Sequence, residues 1–242
     1  MPTAMRHHAY DQLRWNTPLS PRRVPGLARS LGLGDCGEGT VLDLGCGWAQ
    51  LLVDLLVLAP RHTGLGVDAD EVLIQRGRVA AAVAGVADRL ELRVGDATAV
   101  EETADVVMAI GVSHVWGGTA SALAALRAHV VPGGRLLFGD AGWTAPATQA
   151  AVAQLGDGLA DLQDLPALAR AAGWSVIEAV QVDQAEWDDF EERWCAGLEA
   201  FAAGTDDPEA ATMARSWAQE HRQGYRDGYR GLVGFTYLVL TR

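Results

Sequence analysis

Val41-Leu42-Asp43-Leu44-Gly45-Cys46-Gly47 is the stretch whose reading decides the fold. A β-rich apolar run stops at an acid, and two glycines spaced two apart follow at once. Residues 49–59 then carry the apolar spacing of a helix. A buried parallel strand that turns sharply into a helix needs residues without Cβ bulk. Glycine at 45 and 47 lets the backbone take positive φ and lets a ligand approach the main chain. The expectation is a nucleotide-binding turn, and Asp43 ahead of the glycines sets it apart from the dinucleotide version.

Outward from this turn, apolar strands alternate with helices. Strands are expected at 40–44, 63–67, 90–94, 105–110, 135–138, 175–182 and 232–240. Helices are expected at 49–59, 70–84, 120–130, 148–155 and 162–172. Such alternation predicts an α/β fold with a doubly wound, mostly parallel sheet covered on both faces. Ahead of it, Ser20-Pro21 reads as an N-cap and first-turn proline opening a helix to about residue 32.

Between the last two strands lie 47 residues, 184–230, which read as two helices broken near Gly204 and Pro208. In the first, Trp187, Phe190, Trp194, Leu198 and Phe201 repeat at helical spacing, with Asp188, Asp189, Glu191 and Glu192 turned away. The second carries Met213, Trp217, His221 and Tyr225 on one stripe. A connection that leaves the carboxyl end of a strand starts on the ligand-binding edge of a parallel sheet. The expected division is therefore one domain of 1–242: an N-terminal helical cap (1–34), a core (35–183 and 231–242) and a helical insertion (184–230) serving as a substrate lid.

Composition narrows the function. A net charge of −12 repels a phosphate backbone, which argues against nucleic acid as partner. All 19 basic residues are arginine, so neither a Schiff-base lysine nor a P-loop exists in the chain. Cys36, Cys46 and Cys195 are isolated, as expected in a reducing compartment, and no Cys or His spacing suggests a metal. Residues 1–10 lack the apolar stretch of a signal peptide, and the most apolar run is short and carries Asp54, so no membrane span is expected. Together these features predict a soluble cytoplasmic protein acting on a small molecule, as a monomer or homodimer.

Three acids terminate three successive strands: Asp43, Asp68 in Gly66-Val67-Asp68, and Asp96 in Gly95-Asp96-Ala97. Their intervals, 25 and 28 residues, each match about one strand–helix unit and place all three on one carboxyl edge. A carboxylate at the second strand's end can accept both ribose hydroxyls, and one beyond the third can accept the amine of adenine. An NAD site explains this less well, since it prefers a glycine where Gln50 stands and leaves Asp43 and Asp96 without a role.

With these residues in view the chain resembles the class I S-adenosylmethionine-dependent methyltransferases. Asp43-Leu44-Gly45-Cys46-Gly47 matches their glycine motif, Asp68 their ribose acid and Gly95-Asp96-Ala97 their adenine motif. Val131-Pro132-Gly133-Gly134-Arg135 resembles the turn before their fifth strand, and 232–240 their antiparallel seventh. The resemblance implies a seven-stranded sheet with S-adenosylmethionine as cofactor, its methionine moiety over the Gly45–Gly47 turn. Tyr10, Asn16, Asp43, Gly45, Cys46, Gly47, Asp68, Asp96, Ala97, Ile110 and Gly111 are the cofactor-binding residues it implies. The chain departs from the pattern at Ala49, where a third glycine is common and alanine is expected to cost little. Trp48 is bulkier than the usual occupant and is expected to narrow the pocket.

Methyl transfer from a sulfonium is an in-line displacement, so the protein mainly orients the acceptor and, where needed, takes its proton. His114, just past the fourth strand, is the candidate base, with an equal alternative as a loop or cofactor contact. Asp140 in Phe138-Gly139-Asp140 is a second candidate, more readily read as a cap beside Gly142. Trp116 and Trp143 follow strands four and five and are expected to border the acceptor, with Trp187 and Tyr225 of the insertion above it. Core packing is the expectation for Trp194 and Phe201. Arg222, Arg226 and Arg230 form a four-spaced stripe, either solvated or facing an anionic acceptor. Two other roles stay open: an enzyme that uses the adenosyl cofactor without methyl transfer, and a sensor of that cofactor.

Overall fold

A computed structural model describes residues 1–34, 37–156 and 158–242; Cys36 lies outside them. In chain order the first elements are α1 (Thr3–Ala9), α2 (Val24–Ser30), β1 (Gly39–Leu44), α3 (Gln50–Leu58), β2 (His62–Asp68), α4 (Glu71–Val83), β3 (Leu90–Val94) and β4 (Ala104–Ile110). There follow α5 (Thr119–Leu126), β5 (Val130–Trp143), α6 (Gln149–Leu155), α7 (Leu165–Ala171), β6 (Ser175–Gln181), α8 (Gln184–Gly204), α9 (Pro208–Gln223) and β7 (Val233–Thr241). They form two compact units. A sheet unit holds Ser20–Gly142, Ala160–Gln181 and Phe235–Arg242, and a helical unit holds Met1–Leu19, Trp143–Leu159 and Val182–Gly234. The N-terminal segment is thus shared between the units, and residues 143–159 join the helical one.

In the sheet unit the seven strands run in the order β3-β2-β1-β4-β5-β7-β6. β1 pairs in parallel with β2 and β4, β2 with β3, and β4 with β5, while β6 and β7 are antiparallel. The strand order reverses between β1 and β4, the topological switch point at whose carboxyl edge open α/β sheets bind ligands. β1 ends in four consecutive buried residues, as a central strand sandwiched on both faces must. Behind it α3 buries Leu51, Leu52, Val53, Leu55 and Leu56. On the other face Leu123, Leu126, Leu136, Phe138, Leu165 and Trp174 share one core, and the Trp174 indole donates to the Leu123 carbonyl at 2.8 Å.

Two expectations are corrected in this unit. Ser20 makes no cap bond; its Oγ accepts from Arg22 Nε, and the helix begins as a tight turn, Pro21–Arg23, before α2. β3 is followed by a single turn, Ala97–Ala99. Arg93 of β3 pairs with Glu91 and Glu102. A groove of about 610 Å³ lies at the amino ends of β1–β4, lined by Thr40, Thr63, Leu90, Glu91 and Thr103, at the edge opposite the glycine turn. Ala49 takes φ 51°, the only left-handed non-glycine among the described residues, a conformation that costs about 1–2 kcal/mol. Its buried methyl returns on the order of 0.8 kcal/mol.

In the helical unit α8 and α9 each open on an aspartate cap, Asp183 with a reciprocal Glu186 and Asp207 ahead of Pro208. Small residues make the seam: Ala211, Ala214 and Ala218 of α9 meet Cys195, Leu198 and Ala202 of α8. Trp194, Phe201 and Trp217 cover its margins, half-buried, while Met213 is exposed. The stripe read from the large residues of α9 is therefore rotated from the true buried face. α1, which the hydrophobic pattern does not announce, packs on α8 at Gly197. A Cβ there would meet the backbone carbonyls of His8 and Ala9. Gly197→Ala is expected to destabilise this unit by about 1–3 kcal/mol, because the backbone clash outweighs alanine's better helix propensity. Faster limited proteolysis within residues 1–19 and a lower melting temperature would register it.

Candidate functional site

The glycine turn is held by the strand beside it. Gly45 and Cys46 donate their amides to the Val67 carbonyl at 2.8 and 3.1 Å, and the Gly47 amide donates to Asp68 Oδ2 at 2.7 Å. Gly45 (φ 77°) is pressed on by Val112, so no side chain fits. Gly47 (φ 55°) faces open space, with nothing within 4 Å of where a Cβ would stand. A ligand can therefore approach the main chain at Gly47 and not at Gly45. Trp48 is buried and lies under the Arg76 guanidinium, 4.2 Å from its ring centroid, so its bulk goes into packing against α4.

The three strand-end acids lie along the same edge with different surroundings. Asp43 is 5% exposed and accepts no hydrogen bond from the described residues. Burial, reinforced by the nearby Asp68 charge, pushes its pKa up to about 8. Asp68 is half-buried; Oδ2 takes the Gly47 amide and Oδ1 the Asp70 amide at 2.9 Å, which leaves lone pairs on both oxygens. The Asp68 carbonyl also accepts the Gly95 amide at 2.9 Å, tying the third strand's end to the second. Asp96 is exposed, and its Oδ1 accepts the backbone and hydroxyl of Thr98, bonds that hold its pKa below the usual range. Oδ2 of Asp96 remains available. Ala97 is buried beneath it. Cys46 lies between Asp43 and Asp68; burial first, then both charges, raise its thiol pKa well above normal, so it stays protonated.

Past β4, Ile110 is half-buried and Gly111 (φ 70°) donates to the Gly139 carbonyl at 2.8 Å, opening onto free space. A short helical turn, Ser113–Trp116, then presents His114 exposed at its outer side. Trp116 is half-buried and packs against the core of α5 and α7. Asp140 is 6% exposed and is no cap of a loop beside Gly142. Its Oδ2 accepts the Thr119 hydroxyl at 2.6 Å, and its Oδ1 the Ala141 amide at 3.1 Å. Burial raises its pKa, opposed by Thr119, by Ser113 and by the His114 charge. Thr119 and Ser113 escaped the sequence reading; a hydroxyl just after Gly117-Gly118, at the start of a helix, was the available signal.

The sheet unit thus brings together Asp43, Gly45, Cys46, Gly47, Asp68, Asp96, Ala97, Ile110, Gly111, His114 and Trp116. Tyr10, Asn16, Trp143, Trp187 and Tyr225 belong to the helical unit. Tyr10 is half-buried beside the α8–α9 seam and Asn16 is exposed. Trp143 and Trp187 are buried. The Tyr225 hydroxyl donates to Asp188 at 2.5 Å, and Arg230 pairs with the same carboxylate through two bonds of 2.8 Å. Glu191, expected on the outer face, is 5% exposed and takes the Tyr229 hydroxyl at 2.8 Å and His221 at 2.5 Å. Arg222 pairs with Glu192 and Glu199, so two of the three arginines in the expected stripe are engaged by acids. Among the described residues, no group of three or more His, Cys, Asp or Glu is arranged to hold a metal. No helix among them is long and apolar enough to cross a membrane.

The donor set suits an adenosyl cation: open main chain at Gly47, lone pairs on Asp68 and Asp96, and a buried carboxylate at Asp43 without a protein counter-charge. Comparison with known proteins bears on the same region. A methyltransferase-domain family model matches residues 42–136. The uncharacterized protein YjhP of Escherichia coli K12 is 31% identical over 211 residues, covering 83% of each chain. A crystal structure of an S-adenosylmethionine-dependent methyltransferase from Thiobacillus denitrificans, with S-adenosylhomocysteine, matches at TM-score 0.86 and 25% identity. The match covers 100% of this chain and 98% of that one. Its counterpart from Geobacter sulfurreducens, also with S-adenosylhomocysteine, has the same fold, with TM-score 0.89, 24% identity and the same coverage.

Asp43 has a consequence for stability. Its folded-state pKa, about 8, lies above the ordinary value of 3.8, so the native state retains a proton that the unfolded chain releases. Its contribution is full below pH 4 and is lost as pH rises towards 8, by on the order of 1.4 kcal/mol for each pH unit inside that window. Without ligand, Asp43→Asn is expected to melt higher than wild type at pH 8, with the difference shrinking towards pH 5. Thermal melts across that range measure it, and parallel curves would contradict the assignment.

Proposed function

The chain belongs to the class I S-adenosylmethionine-dependent methyltransferases, and from that membership we propose that it methylates a small-molecule acceptor with His114 as general base. The observation that carries this reading is an exposed imidazole one strand away from the glycine turn, on the edge that also bears the three acids. When bound, the cofactor supplies a methyl group already activated on sulfur. The protein's own tasks are to hold that donor, to orient the acceptor in line and to receive a proton.

Each holding residue has a chemical assignment. Asp68 accepts the ribose hydroxyls with the lone pairs left by Gly47 and Asp70. Asp96 Oδ2 accepts the adenine amine, with Ala97 beneath the ring. Asp43, ionised by a neighbouring cation, answers the positive charge of the donor. Gly45 and Cys46 fix the turn, Gly47 offers close approach, and Ile110 with Gly111 forms the apolar floor between donor and acceptor. Trp116 beside His114 favours a planar or apolar acceptor. The net charge of −12 argues for a small acceptor over nucleic acid.

At a hundredfold excess over Kd, S-adenosylhomocysteine is expected to stabilise the protein by roughly 2.7 kcal/mol, while NAD does nothing. Asp68→Ala should remove that gain with the fold intact by circular dichroism. In a screen of labelled methyl transfer to candidate acceptors, His114→Ala is expected to cut turnover by about 10²–10⁴-fold. Full turnover in that variant would remove His114 as the base. Tight S-adenosylhomocysteine binding with no product from any acceptor would favour a sensor instead.

A further inference from the structure

The β1–β4 ladder ends with Asp43 opposite Met108, short of both loops that frame the candidate site. Past that point the two strand ends meet through a side chain. Val112 lies against Gly45: a Cβ placed on Gly45 would stand 2.5 Å from Val112 Cγ1 and 3.3 Å from its Cγ2. The valine methyls therefore fill the volume that this glycine leaves bare, whereas the same volume at Gly47 is open. Gly45 lacks a side chain for the protein's own packing, and Gly47 lacks one for a ligand. Val112 is also fixed from behind. It is half-buried and packs on the core that holds Leu44, Ala97 and Leu123. Its neighbour Gly111 donates to the Gly139 carbonyl at 2.8 Å. Its own carbonyl accepts the Val115 amide at 3.1 Å, within the turn that bears His114. A stiff, branched side chain packed on both sides has little room to shift.

We propose that Val112 is a positioning residue for methyl transfer: seated on Gly45, it sets the gap between the turn that holds the donor and the turn that faces the acceptor. The proposal rests on reading this edge as the site of transfer, and it does not require His114 to be the base. An in-line displacement is sensitive to that gap, since a misplacement of about 1 Å can cost on the order of 10²-fold in rate. Size and shape are what Val112 contributes. A smaller residue uncovers the Gly45 main chain and frees the His114 turn to shift against it. A residue of the same branched shape keeps the seat. Holding the donor is assigned to Gly47, Asp68 and Asp96, so truncation at Val112 acts on the reacting geometry rather than on donor affinity.

The test uses the full-length protein and the acceptor returned by the labelled-methyl screen. Val112→Ala is expected to bind S-adenosylhomocysteine within about threefold of wild type while kcat falls by about 10–10²-fold. Val112→Thr, of the same shape, should restore most of that rate. Wild-type kcat in Val112→Ala would overturn the proposal, as would a loss of donor affinity that accounts for the whole defect. A second measurement needs no acceptor. With S-adenosylhomocysteine bound, the NMR amide signals of Gly45 and Cys46 should move in Val112→Ala and stay near wild type in Val112→Thr. Unmoved signals in Val112→Ala are equally fatal. Should Val112→Ala not fold, Val112→Ile disturbs the same seat by enlargement, and the same outcomes decide. Wild-type protein that binds S-adenosylhomocysteine and methylates nothing is a different failure: it ends the methyl-transfer reading and the kinetic role with it, while the amide signals still report the contact.

Discussion

The bond on which the site depends is Gly47 N–H to Asp68 Oδ2, 2.7 Å across two strand ends. With Gly45 and Cys46 on the Val67 carbonyl, it fixes the turn at the carboxyl end of β1 in relation to the end of β2. The Asp68 carbonyl then takes the Gly95 amide and brings the end of β3 into the same frame. Three acids separated by whole strand–helix units are aligned by backbone hydrogen bonds together with the Asp68 side chain. Their carboxylates keep lone pairs for a ligand.

Electrostatics distinguish acids that look alike in sequence. Asp43, Asp68 and Asp96 each close a strand, yet one is buried and proton-retaining, one is bonded to two amides and one is exposed and bonded by a threonine. The buried carboxylate is the costly one, and a cation nearby relieves that cost. A donor bearing positive charge is therefore favoured by the burial itself. Asp140, buried within β5, is offset instead by the Thr119 hydroxyl at 2.6 Å and the Ala141 amide at 3.1 Å.

The helical unit spends its polar residues differently. Asp188 gathers Gln184, Tyr225 and Arg230, and burial of Glu191 is matched by Tyr229 and His221. These bonds join the start of α8 to the π-helical turn Gly224–Tyr229 that follows α9. The α8–α9 seam itself rests on alanines, which allow close helix approach.

The sequence by itself determined the alternation of strands and helices, the glycine turn and the acids at the strand ends. Those signals are local: periodicity, missing Cβ atoms and spacing in units of one strand and helix. It also marked α8 and α9, by the helical spacing of their large residues and the break near Gly204 and Pro208. Only the tertiary structure decided which face of α9 is buried, because Ala211, Ala214 and Ala218 carry almost no hydrophobic signal. It alone showed Glu191 pointing inward, since partners 30 and 38 residues away make that burial tolerable. The same holds for Thr119 and Ser113 beside Asp140. A carboxylate reads as an acid at any position, but its protonation and its partners depend on what folding brings within hydrogen-bond distance.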